Sequence, residues 1–177
     1  KVSGSSGSKT GDGTSVRLFI PLPQELARQF PATRGTDTSP PHVTFLYIGG
    51  VTPDREGELN DLCESVVSDF GQVVGTLNGL EYFINQHDQK IPHISVAFSV
   101  DMSALRRKLR RVLMEAGFQV EDKFMQYVPH STLGYYEDTS KEYEGPIPEG
   151  TWVVDHIEVW GASKVLVLPL KAPKSLA

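Results

Sequence analysis

The pattern Pro-His-x-Thr occurs twice, in Pro41-His42-Val43-Thr44-Phe45-Leu46-Tyr47-Ile48-Gly49 and in Val128-Pro129-His130-Ser131-Thr132-Leu133-Gly134-Tyr135. Each copy is a short apolar run entered through proline and ended or interrupted by glycine, which reads as a strand. With five histidines in the chain and threonine at roughly one position in sixteen, about 0.3 matches to His-x-Thr would arise by chance. Two matches in one sequence setting point to a duplicated unit. Alternate side chains of a strand leave by the same face, so His42 and Thr44 share one face while Val43 and Phe45 share the other. The second copy repeats this. If the two strands lie side by side, two imidazoles and two hydroxyls converge on one cleft.

Around the motifs the pattern predicts an α+β domain. Val16 to Leu22 reads as a first strand and Pro23 to Phe30 as a short helical turn behind it. After the first motif strand, Thr52-Pro53-Asp54 opens a helix with a capping hydroxyl and proline at its first position. Leu59, Leu62, Cys63, Val66, Val67 and Phe70 mark its buried face, and Gly71 closes it. Val73–Ile84 and Ile91–Val100 read as a hairpin joined by the polar stretch Asn85 to Lys90. A second helix, Ser103 to Ala116, turns Leu105, Leu109, Val112, Leu113 and Ala116 inward and stops at Gly117. Phe118 to Tyr127 reads as strand leading into the second motif. After an acidic loop from Glu137 to Gly150, Trp152–Trp160 and Lys164–Leu170 form a closing hairpin. The expected fold is two helices on a mostly antiparallel sheet system, close to a split duplication of one unit.

At 177 residues and 39% hydrophobic content, the chain can bury one core, either as a single domain or as two small lobes sharing an interface. Residues 1–14 are almost wholly Gly, Ser, Thr, Lys and Asp, and are expected to be a flexible linker or remnant ahead of a domain over 15–172, with 173–177 as a tail. A start at Lys1 instead of Met fits a domain cut from a longer polypeptide. No apolar run approaches the roughly 20 residues that span a bilayer and no leader pattern is visible, so a soluble, cytoplasmic monomer is expected. The net charge of −5 argues against broad binding to long nucleic acid and favours a small or short substrate. Cys63, the single cysteine, falls on a helix stripe and reads as a buried hydrophobe.

Histidine can take or give a proton near neutral pH, and threonine hydroxyls can donate to phosphate oxygens as charge builds. Two of each on facing strands make a metal-free phosphodiester site, with one of His42 and His130 as general base and the other as general acid. The bland reading is that the histidines merely tip strands and the threonines reflect β-propensity. His93-Ile94-Ser95 is a third near-match that could stand in for one motif. His87, in a polar turn, and His156, in a closing strand, read as surface or core histidines. These histidines lack zinc-ligand spacing, and no cofactor is implied. Arg106, Arg107, Lys108, Arg110 and Arg111 form a basic run on the second helix that reads as a solvated face. Among Tyr47, Tyr127, Tyr135 and Tyr136, candidates for stacking on a base, only Tyr136 is in phase with His130 and Thr132.

Arg17-Leu18-Phe19-Ile20-Pro21-Leu22-Pro23 resembles the opening strand of bacterial 2′-5′ RNA ligases and other two-histidine phosphoesterases. Pro41 to Gly49 and Pro129 to Gly134 resemble their two motif strands, and Val154 to Val159 their closing strand. The resemblance implies a bilobal fold with pseudo-twofold symmetry, a helix on each lobe, a central cleft and catalysis without a metal. It carries His42, Thr44, His130 and Thr132 across as catalytic residues, with Tyr135 and Tyr136 as candidate substrate contacts. Tyr135 stands where several relatives have an arginine. The implied substrate is a nucleotide or short RNA bearing a 2′,3′-cyclic phosphate, a 2′-5′ linkage as in oligoadenylate, or a cyclic oligonucleotide. The alternative is a catalytically idle RNA- or nucleotide-binding module of a larger protein.

Overall fold

Residues 13–121, 126–162 and 164–173 are described by a computed structural model of the chain. The strand β1 (Thr14–Pro21) sends Val16, Leu18 and Ile20 into the main core and Arg17 and Phe19 to the opposite face. It begins at Thr14, the last residue of the expected linker, while residues 1–12 lie outside the described residues. A short helix α1 (Gln24–Ala27) precedes β2 (His42–Val51), the first motif strand. The hairpin β3 (Val73–Ile84) and β4 (Lys90–Phe98) follows the helix α2 (Glu56–Val67). After α3 (Ser103–Glu115) come β5 (Gln119–Val120), the second motif strand β6 (His130–Thr132), and then β7 (Gly150–Val154), β8 (His156–Trp160) and β9 (Val165–Pro169).

These strands form two antiparallel sheets, one of five in the order β5-β2-β1-β8-β9 and one of four in the order β6-β4-β3-β7. Leu59, Cys63, Val66 and Val67 of α2 and Leu105, Leu109 and Leu113 of α3 lie at helical spacing and join residues of both sheets in one core. Each such buried aliphatic side chain contributes about 1.5–3 kcal/mol. The helices pack side by side, α2 also meeting β9 and α3 meeting β5. Gly117 (φ +91) ends α3 in the left-handed region as expected. The expected Thr52 cap is corrected: its side chain makes no cap hydrogen bond, and a 3-10 turn over Pro53–Arg55 precedes α2. Proline's fixed φ suits that tighter first turn.

Two strand expectations also change. Trp152–Trp160 is not one strand but two, β7 in the four-stranded sheet and β8 in the five-stranded sheet, joined by Asp155 alone. Leu170 N–H donates to the Asp155 carbonyl at 2.8 Å, which ties off the crossing. Of Phe118 to Tyr127, only Gln119 and Val120 pair as strand, and residues 122–125 lie outside the described residues.

The register exposes the internal symmetry. In the five-stranded sheet Thr44 pairs with Phe19 and Phe19 with Glu158; in the other, Thr132 pairs with His93 and His93 with Glu81. His42 lies opposite Pro21 and His130 opposite Ser95. One step the other way, Arg17 pairs with Trp160 as Ile91 pairs with Phe83. The two motif strands come within 8 Å of each other, Cα to Cα, without pairing. β6 is a sheet edge, and among the described residues β5 pairs with β2 at Ile48 and Gly49, beyond which the Glu121 N–H donates to the Tyr47 carbonyl at 3.0 Å.

Candidate active site

Proline explains the posture of both motif histidines. It fixes its own φ and holds the residue before it extended, which sets a carbonyl two residues upstream beside the imidazole. His42 Nδ1 lies 2.8 Å from the Pro40 carbonyl and His130 Nδ1 lies 2.9 Å from the Val128 carbonyl. A carbonyl only accepts, so in each ring Nδ1 carries the proton and donates it. Nε2 is then the atom free to gain or lose a proton, and among the described residues neither Nε2 has a hydrogen-bond partner.

Each ring also rests on an aromatic neighbour. His42 stacks on Phe19 at 3.7 Å between centroids and 27° between planes, and His130 meets the edge of Phe83 at 5.4 Å and 80°. Burial is the largest influence on both imidazoles and holds each below the ordinary histidine value near 6.5. At His42 the Pro40 carbonyl and the Asp37 carboxylate oppose this, while Arg34 and Arg17 reinforce it. At His130 the Val128 carbonyl opposes it and His93 reinforces it.

The loop before β2 braces the first motif against the second. Arg34 is 2% exposed; it donates to the carbonyls of Pro31 and Ser39 and lies 3.8 Å from Asp37 Oδ2. Asp37 in turn accepts from the Ser39 N–H at 2.9 Å. Gly35 (φ +66) lets this loop press on Tyr135, because a Cβ there would sit 3.1 Å from the tyrosine ring. Burial raises the Tyr135 hydroxyl above its usual value, Asp37 and Tyr47 adding to this while hydrogen bonding to Thr132 works against it. Tyr135 therefore touches both halves of the site. The cations beside His42 come from Arg34 and Arg17, both of the first half.

The back of β2 is held from α3. The register slips at Phe45, a β-bulge, and the bulge carbonyl accepts from Arg106 Nε at 2.8 Å. Next to it the Thr44 carbonyl accepts from the Tyr127 hydroxyl at 3.0 Å, and the Arg106 guanidinium lies over the Tyr127 ring at 5.1 Å. Arg106 thus departs from the solvated-face reading of the basic run. A bulge leaves a backbone carbonyl without a ladder partner, and a long cationic side chain is the group that can reach it.

His42, Thr44, His130 and Thr132 thus stand on neighbouring strands. Tyr136 is placed differently from its phase: β6 ends at Thr132, so alternation does not extend to residue 136, whose ring lies under Lys141 Nζ at 4.7 Å. His87 sits exposed in the β3–β4 turn, and His156 is held on both sides, by Asp155 at 2.6 Å and Glu158 at 3.1 Å. Cys63 is buried on α2, and burial pushes its thiol up to about 12. Local sequence reading missed Phe19, Phe83, Arg34 and Asp37. The signal for Phe19 was its place on the polar face of β1, where a large ring needs a partner. His93 was noticed, but it stands beside the second motif, not in place of either.

The sequence matches the family model of the 2′-5′ RNA ligase superfamily over residues 20–165. The chain belongs to this superfamily. A curated relative, the RNA 2′,3′-cyclic phosphodiesterase of Thermotoga maritima, is 31% identical over 101 residues, covering 55% of this chain and 52% of the relative. The chain thus spans about half the length of that superfamily member. Among solved structures, E. coli LigT complexed with 3′-AMP superposes with a TM-score of 0.61 at 18% identity, over 90% of this chain and 96% of that one. A Thermus thermophilus protein superposes with a TM-score of 0.70 at 15% identity, over 91% of this chain and all of that one. The α+β fold of two antiparallel sheets is therefore the two-histidine phosphoesterase fold implied by the resemblance.

Proposed function

We propose that this superfamily member is a metal-independent phosphodiesterase that hydrolyses, or reversibly transfers, a 2′-linked or cyclic phosphodiester of a nucleotide or short RNA. The observation that carries the reading is the matched pair of imidazoles, each with Nδ1 committed to a carbonyl and Nε2 left free, on adjacent strands. Neutral Nε2 of one ring removes the proton of the attacking oxygen as its bond to phosphorus forms. Nε2–H of the other protonates the departing oxygen as its bond to phosphorus breaks. Thr44 and Thr132 donate to the non-bridging oxygens, whose charge rises in the transition state. The exposed rings on this face, Phe83 and Tyr135, are platforms on which bases can stack.

The Thermotoga relative's activity makes an RNA 2′,3′-cyclic phosphate the first substrate to test. The protein is incubated in EDTA with nucleoside 2′,3′-cyclic phosphates, 2′-5′ oligoadenylates and cyclic dinucleotides, beside a His42→Ala/His130→Ala double variant, and products are separated by chromatography. Turnover of one set with loss of about 10²-fold or more in the variant is expected. Absence of turnover in every set, or equal turnover by the variant, would overturn the proposal.

A further inference from the structure

The two halves of the site differ at one symmetric position. Opposite Thr44 stands Phe19, an inert ring under His42; opposite Thr132 stands His93, an ionisable one beside His130. We propose that His93 is a positioning residue for the second motif, fixing the His130 ring by direct contact within a cluster of His93, His130 and Phe83. This rests on the reading of His130 as a reacting group.

His93 is 4% exposed, so it cannot meet substrate broadly and must act through what it touches. Its ring centroid lies 5.0 Å from that of His130 at 61° between planes, and Phe83 closes over both rings at 4.9 and 5.4 Å. Proline sets its posture too. His93 Nδ1 lies 3.0 Å from the Ile91 carbonyl and donates to it, which turns Nε2 toward β3. That nitrogen is 4.0 Å from Glu81 Oε1 on the neighbouring strand. The polar groups facing the two rings are Glu81 from β3, Ser95 from β4, and Thr132 from β6. Of these Glu81 alone is charged.

A phenyl ring would satisfy packing at this place, as Phe19 does in the other half. An imidazole adds something a phenyl cannot: beside burial, which is the larger influence, the His93 ring helps to hold the His130 imidazole below its ordinary value.

The test is an NMR titration of the His130 ring in the wild type, in His93→Phe and in His93→Asn. The asparagine amide can still donate to the Ile91 carbonyl, so this variant keeps the local fold if the phenyl variant fails to. In either variant the midpoint of the His130 titration is expected to rise, because His93 is one of the groups that hold it down. The matching limb of the kcat/KM profile should move the same way. An unchanged His130 titration and an unchanged pH profile in His93→Asn, whatever the loss in rate, would reduce His93 to packing and overturn the proposal. The titration needs no substrate, so its failure is distinct from a failure to find turnover.

Discussion

Burial pulls both motif imidazoles toward their neutral forms, and that decides where on the pH scale the proposed reaction runs. If one ring must be neutral and the other protonated in the free enzyme, kcat/KM follows a bell. With both groups held below 6.5, the bell should centre on the acid side of that value; a maximum above pH 7 would contradict the assignment. Thr44→Val removes a donor while keeping the shape, and should lower kcat by about 10²-fold with little change in melting temperature. His156 carries the opposite shift: burial alone would lower it, but hydrogen bonds to Asp155 and Glu158 outweigh burial and raise it above 6.5. A raised folded value contributes stability that is fully present below 6.5 and lost as pH climbs through the folded value. His156→Gln should therefore depress the melting temperature more at pH 5.5 than at pH 8.5, a contrast that two thermal scans would reveal.

At the scale of the elements, the first motif depends on a clamp from outside its sheet. Arg106→Gln and Tyr127→Phe each release a carbonyl of β2, at Phe45 and Thr44. Each should cost about 1 kcal/mol of stability and reduce kcat through a loosened Thr44, whereas Lys108→Gln on the same helix should do neither. Chemical denaturation alongside initial rates separates the two. Much of this level was legible in the sequence. The bounds of β3 and α3 follow the alternation and the helical stripe almost residue for residue, and the motif residues stood out by repetition. The division of Trp152–Trp160 was missed although its trace is present. The buried residues are Trp152 and Val154, then Ile157 and Val159, a slip of phase across Asp155 that a single strand cannot make. The position of His93 beside His130 could not be read locally, because it depends on β4 pairing with β6 across a long stretch of chain. The bulge clamp was hidden for a related reason: nothing in Arg106 itself distinguishes it from its solvated neighbours.

For the molecule as a whole, neither sheet is built from one contiguous half of the chain. The centre of the five-stranded sheet is β1 against β8, joining residues 17–19 to 158–160. A chain truncated after Asp155 loses β8 and β9 and strips β1 of a partner, so it should show no cooperative thermal transition by circular dichroism. A sharp melt would show that β1 to β7 fold without β8 and β9. The crossing at Asp155 has a mechanical corollary. One residue reaches only about 3.5 Å, so the two sheets cannot swing apart by more than a few ångströms there unless β7 or β8 surrenders its end pairing. Asp155 is in effect a pin between the two sheets: one can turn about it relative to the other, and neither can be drawn away from it.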